Sequence, residues 1–180
     1  SAIVTDVGSV KESVILEVQK KLPQGVFFVP AHPLAGTENS GPSAGFASLF
    51  ENRWCILTPS KNVPIEIIKK VKFFWEQLGS NVVEMDAKHH DLVLSVTSHA
   101  PHLIAFTMVG VADEFSKVTN SEVINYSAAG FRDFTRLAAS DPIMWRDVFL
   151  NNKDAALEIL GRFTEELFTL QKAIRKKDGE

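Results

Sequence analysis

Only one cysteine, Cys55, occurs in the chain, so no intramolecular disulfide can form, and a reducing, cytoplasmic setting is the expectation. Neither sign of charge dominates, with 19 Lys and Arg against 22 Asp and Glu. A formal net charge of −3 leaves no basic field for a nucleic-acid partner. The apolar runs are broken by Ser, His, Pro, Asp or Lys well short of the roughly 20 residues a membrane span needs, so no membrane partner is expected. There is no initiator Met, basic n-region or apolar h-region, hence no visible signal peptide. Gly36, Gly41 and Gly45 fit neither GxGxxG nor GxxxxGK[ST], which removes a phosphate loop. No pair among His89, His90 and Asp91 has zincin spacing, so no metal site is expected. Repeats and low-complexity segments are missing as well.

What remains is ordinary globular material: 180 residues, 45% hydrophobic, mean hydropathy +0.02, enough for one large domain or two small ones. Up to residue 85 strand and helix signals alternate. Ala2 to Thr5 is an apolar strand run with no lead-in, and because domains seldom begin in mid-strand it predicts the C-terminal part of a longer chain. Asp6-Val7-Gly8 is a turn. Ser9-Val10-Lys11-Glu12 matches a capping box, Ser9 capping and Glu12 reaching back. Val10, Val14, Ile15 and Val18 recur at helical spacing. Val26 to Val29 reads as a buried strand, followed by a loop from Pro30 to about Asn52, a length usual for functional or mobile loops. Trp54 to Leu57 is a strand, Pro64 to Leu78 an amphipathic helix closed by Gly79, and Asn81 to Met85 a strand. This βαβ rhythm predicts an α/β remnant of a Rossmann-type nucleotide-binding domain over 1–85.

Past Asp86 the strand signals stop, predicting an all-α domain over 86–180. Ala87 to about Phe115 is one apolar helix pattern, kinked near Ser98 by Pro101, whose ring clashes with the carbonyl of Thr97. Ser121 to Ala139 gives a helix or two short ones. Asp141-Pro142 caps the next. Lys153 to Lys177 is the last, with Leu160, Phe163, Leu167, Leu170 and Ile174 forming a seam at 3,4 spacing.

Four polar motifs stand out against this background: Asp6-Val7-Gly8-Ser9, His32 to Glu38, Ser98-His99-Ala100-Pro101-His102, and Gly130 to Arg136. Together they offer neutral bases, hydroxyls and guanidinium groups, the equipment for taking a proton from an alcohol while clamping a carboxylate. His32 follows a strand at the mouth of a Gly-rich loop, where open α/β sheets bind ligands, and histidine accepts a hydroxyl proton near neutrality. Its bland alternative is a loop histidine bonded to backbone. Ser98 and His102 share a helical face while His99 points elsewhere; buried, hydrogen-bonded core residues are the equal alternative. Arg132 and Arg136 suit a carboxylate, or simply pair with Asp133 at the surface. Ser9 is a cap at a helix N-terminus that also favours anions. Trp145 packs in the core or walls a pocket.

TDVGSVK at 5–11, HPLAGTENSG at 32–41, SHAPH at 98–102 and GFRDFTRLAASDPIMWRDVF at 130–149 resemble the prephenate/arogenate (cyclohexadienyl) dehydrogenase family, from Thr5 to about Asn152. The resemblance implies oxidative decarboxylation of prephenate or arogenate with NAD or NADP, to 4-hydroxyphenylpyruvate or tyrosine. It assigns His32 as the group that deprotonates the ring hydroxyl, with Ser9 beside both that hydroxyl and the nicotinamide. Arg136 would bind a substrate carboxylate, and Ser98 and His102 would line the pocket. Thr37, Glu38, Arg132 and Asp133 would gate or support it, and Trp145 would lie close. Asp6, Gly8 and Ser9 would form the cofactor side. A homodimer through the helical domain is implied. The family's GxGxxG fingerprint is not in this sequence and would lie upstream of Ser1, so the chain is expected to carry the substrate half of the site and little turnover alone. A non-catalytic dimerisation or ligand-sensing module of the same fold is the competing class; a dehydrogenase of another 2-oxo or hydroxy acid is a third.

Overall fold

The computed structural model describes residues 2–37, 39, 41–118, 126 and 128–179. Two small sheets carry the first part. Strand β1 (Ile3–Val4) pairs in parallel with β2 (Phe27–Phe28), in register Ile3 to Phe27, with helix α1 (Glu12–Gln19) crossing between them. Strand β3 (Ala31–Pro33) runs antiparallel to β4 (Trp54–Leu57), which is parallel to β5 (Asn81–Glu84); α2 (Ile65–Gln77) forms the β4–β5 crossover. Val29, Ala31, Cys55 and Leu57 meet Ile67, Ile68, Val71 and Trp75 of α2 in the main core. The α2 side chains lie on one face at helical spacing, and each buried apolar side chain of this size stabilises by roughly 1.5–3 kcal/mol. Gly79 ends α2 with φ 85°, and a Cβ there would crowd Glu51, 3.0 Å from its Cγ and 3.1 Å from its backbone Cα, so glycine satisfies both demands.

The second part is helical. Asp86 caps α3 (Ala87–Leu94) by accepting from Lys88 and His89 N–H. A π-turn over Ser95–His99 leads directly into α4 (Ala100–Val118). The irregularity expected beside Ser98 is thus one widened turn: Pro101 has no N–H to give Thr97, and the wider turn absorbs the missing bond. Helices α5 (Ala129–Ala138), α6 (Pro142–Asn151, capped by Asp141) and α7 (Lys153–Lys176) follow. The helix expected from Ser121 is described only from Ala128 onward; 121–125 and 127 lie outside the described residues.

Three expectations need correction. His32 is not in a loop after a strand. It sits inside β3, opposite Ile56, and is buried. Ser9 does not cap α1: that helix starts at Glu12, with Lys11 at the cap position and no side-chain cap from its own neighbourhood. The stretch Ala87–Lys117 is, by length and mean hydropathy of 1.4, apolar enough to cross a membrane, which the broken apolar runs did not lead one to expect. Of its apolar window 28% is buried, and His90, Asp91, Ser95 and His99 are among its buried residues.

Candidate active site

The two parts meet through Asp91. Its Oδ1 accepts the Lys11 N–H at 2.9 Å and its Oδ2 the Glu12 N–H at 2.9 Å. These are two of the orphan donors at the start of α1, so a carboxylate from the helical domain supplies the cap that Ser9 does not. This also settles the anion preference of that helix terminus: the anion is Asp91 itself.

Asp91 Oδ1 also meets His90 Nδ1 at 2.8 Å, and His90 Nε2 meets His32 Nδ1 at 2.8 Å. The two rings stand edge to face, centroids 5.0 Å apart. Burial, the neighbouring His90 and the charge of Lys11 push the His32 pKa down to about 3, so the ring is neutral at pH 7. Burial alone would raise the Asp91 carboxyl, but the hydrogen bonds from His90 and from the two backbone N–H groups outweigh it and hold the group below its ordinary value.

Lys11 is wholly buried. Its Nζ forms an ion pair with Asp6 and donates to the Ala31 carbonyl at 2.7 Å. Asp6 in turn accepts the Ala31 N–H at 3.0 Å and the Gly8 N–H at 2.9 Å. The residue next to His32 is therefore held on both its N–H and its C=O by the β1–α1 loop. A Cβ on Gly8 would sit 3.0 Å from Asp6 Oδ2, so the loop needs glycine there. Val10, one residue beyond Ser9, packs against Trp145 and Val148 of α6.

On that side His102 stacks on Trp145, centroids 3.7 Å apart and planes 21° apart. His102 Nδ1 donates to the Ser98 carbonyl at 2.9 Å, leaving Nε2 as an acceptor. Burial lowers the His102 pKa, the hydrogen bond to the Ser98 carbonyl opposes it, and the charge of Arg136 lowers it further. His99 Nδ1 and the Asp91 carbonyl share the Asn152 side-chain amide at 3.1 and 2.8 Å. Burial pushes the His99 pKa down to about 4.

Of the residues singled out from sequence, Asp6, Gly8 and His32 belong to the network around Lys11 and Asp91, and Ser98, His102 and Trp145 form a second group on the helical side; Ser9 is half-buried and Arg136 exposed. Arg132, Asp133 and Thr37 are exposed; Thr37 Oγ1 accepts the Asn39 N–H at 3.2 Å, and Arg136 approaches Asp133 only loosely, at 4.0 Å. Glu38 lies outside the described residues. Lys11, His90, Asp91, His99 and Asn152 were missed. Among the described residues no group of three or more His, Cys, Asp or Glu is arranged to hold a metal.

For a cofactor, the donor set matters. The first N–H groups of α1 are occupied by Asp91, and Val7 is exposed beside the half-buried Gly8 and Ser9. With the Lys11 and Glu12 N–H groups already holding a carboxylate, those two donors are not open to a phosphate.

A parallel βαβ piece with a helical domain behind it defines a Rossmann-type nucleotide-binding fragment joined to an all-α unit. Residues 1–84 match the model of the prephenate dehydrogenase nucleotide-binding domain, and residues 86–180 that of the prephenate dehydrogenase dimerization domain. The chain belongs to the prephenate dehydrogenase family. It is 46% identical over 178 residues to cyclohexadienyl dehydrogenase of Zymomonas mobilis, covering 99% of this chain and 60% of that one. To prephenate dehydrogenase of Bacillus subtilis it is 36% identical, covering 99% and 48%. The crystal structure of prephenate dehydrogenase from A. aeolicus in complex with hydroxyphenyl propionate and NAD+ superposes with TM-score 0.90 at 39% identity, covering 99% of this chain and 61% of that one. The chain thus spans about half to three-fifths of the relatives it matches.

Proposed function

We propose that the complete protein oxidises and decarboxylates prephenate or arogenate, giving 4-hydroxyphenylpyruvate or tyrosine, and that this chain carries the substrate half of the site. The observation that carries the reading is His32: a neutral imidazole, anchored through Nδ1, with its Nε2 unpartnered among the described residues. The free nitrogen is placed to accept a hydroxyl proton; burial weakens it as a base, and the link through His90 to the Asp91 carboxylate offsets the charge of the imidazolium so formed.

In this reading His32 Nε2 takes the ring hydroxyl proton. A bound NAD+ or NADP+ would supply the acceptor for the hydride that leaves the carbon bearing that hydroxyl. Loss of the ring carboxyl as carbon dioxide then aromatises the ring, and the resulting phenolate takes its proton back from His32. Ser9 orients the hydroxyl beside the Asp6–Gly8 turn that would face the nicotinamide. The Arg136 guanidinium, exposed and only loosely engaged by Asp133, binds a substrate carboxylate. Ser98 and His102 line the pocket, with Trp145 as its rigid wall, and Thr37, Glu38, Arg132 and Asp133 act at its rim. For arogenate, Glu38 or Asp133 would meet the ammonium.

We assign 1–85 to the nucleotide-binding side and 86–180 to the helical side, in a cytoplasmic homodimer. Exposed Leu167, Leu170 and Ile174 on α7 support pairing through the helical domain. The test is reduction of nicotinamide by the gene's full-length product, followed by absorbance, with prephenate and arogenate each supplied with NAD+ and NADP+. Turnover in any combination supports the reading. Silence in all four, from a folded dimer that binds cofactor, favours the dimerisation or ligand-sensing module.

A further inference from the structure

We propose that His90 and Asp91 are positioning residues that fix the tautomer of His32, so that its Nε2 is the bare nitrogen and its Nδ1 carries the proton. The hydrogen-bond chain determines this from one end to the other. Asp91 receives two backbone N–H groups, from Lys11 and Glu12. Backbone N–H groups cannot reverse direction, so the carboxylate acts as an acceptor and the Nδ1 atom of His90 must donate to it. With one ring proton, His90 then presents a lone pair at Nε2. His32 Nδ1, 2.8 Å away, donates into that lone pair, and its own lone pair is left at Nε2. The anion that caps α1 thereby also decides which atom of a ring in β3 is basic.

The groups facing His32 are consistent with a single ring proton. Lys11 before α1, His90 of α3 and His99 of the π-turn disfavour a second one, as does burial, and Asp91 opposes them. Cys55 of β4 faces the same strand, its thiol pushed up to about 12 by burial and so uncharged. When Nε2 takes a proton, the new imidazolium is linked through His90 to the Asp91 carboxylate, which stabilises it without taking part in the chemistry. Solvent-exposed imidazole has no such preference imposed on it, and the opposite tautomer would leave no base at Nε2. The reverse sequence spacing explains why this is invisible locally: His32 and His90 lie 58 positions apart.

The role in turnover rests on the function proposed above; the tautomer does not. The test is a long-range proton–nitrogen correlation spectrum of the ¹⁵N-histidine-labelled full-length product near neutral pH, with His32 assigned by its absence in His32→Asn. An unprotonated Nε2 and a protonated Nδ1 are expected at His32; a protonated Nε2 in the unmodified protein overturns the proposal. In His90→Asn, which leaves Asp91 on α1, the His32 nitrogens should shift toward the Nε2-protonated form. With the reading of function correct, kcat should fall on the order of 100-fold while the substrate KM and cofactor binding move by no more than about threefold. Unchanged His32 nitrogens, or a KM effect alone, overturns the proposal. An unmodified protein that turns over neither substrate refutes the function instead, and the spectrum still decides the tautomer.

Discussion

Asp91 closes the first turn of a helix whose first residue, Glu12, lies 79 positions earlier: the Glu12 N–H donates to Asp91 Oδ2 at 2.9 Å. One side chain of the helical domain thus finishes an element of the nucleotide-binding side and anchors the histidine chain that ends at His32.

Asp91→Ala removes the cap and leaves His90 Nδ1 with no acceptor in a fully buried position. Loss of a cap costs about 0.5–2 kcal/mol and an orphaned buried donor about 1–3 kcal/mol. A destabilisation of roughly 1.5–5 kcal/mol is expected in urea unfolding, and a midpoint equal to that of the unmodified chain would contradict the double role.

Lys11 and Asp6 form an ion pair that is buried at the lysine and partly exposed at the aspartate. Lys11→Met strands the carboxylate and frees the Ala31 carbonyl, which should cost roughly 3 kcal/mol. Adding Asp6→Asn should recover part of the loss, because the stranded charge is gone. A double variant less stable than the sum of the two singles would rule out this pairing as the cause.

Acid should destabilise the fold early. His32 and His99 have native pKa values pushed down to about 3 and about 4, against an ordinary 6.5. Below pH 6.5 the unfolded chain binds protons that the native state refuses, so stability falls as pH drops toward 4, by up to about 1.4 kcal/mol per pH unit for each histidine. Asp91, held below its ordinary value, adds a loss in the same direction at lower pH. The urea midpoint should therefore be lower at about pH 5.5 than at about pH 7.5; an equal or higher midpoint would mean these rings are not kept neutral.

Arg136→Ala in the full-length product should raise the substrate KM about tenfold to a hundredfold, since a charged hydrogen bond contributes about 1.5–3 kcal/mol, with kcat little changed. An unaltered KM would remove Arg136 from the carboxylate clamp.

Much of this was legible in the sequence because it is local. Trp54–Leu57 and Asn81–Glu84 are short apolar runs bounded by turns, and Asp141-Pro142 caps α6 as its residue types require. Family motifs pointed to His32, Ser98, His102 and Arg136. The capping box at Ser9 misled, because its side-chain pattern is met in sequence while a distant carboxylate holds the same donors. Strand β3 was missed because three residues containing His and Pro carry no strand period, and pairing with β4 alone defines them. His90 and Asp91 were read only as metal ligands that failed to qualify. The available signal was a polar stripe, Asp91, Ser95, Ser98, His99 and His102, recurring at three- and four-residue steps in an otherwise apolar helix pattern.

Steady-state kinetics of His32→Asn in the full-length product measures whether His32 acts as the proposed base. Asparagine keeps a polar group in β3 but offers no proton acceptor of comparable basicity. In this variant kcat should fall about 100-fold or more with prephenate or arogenate, with the substrate KM changed only severalfold. Turnover equal to that of the unmodified enzyme would contradict it.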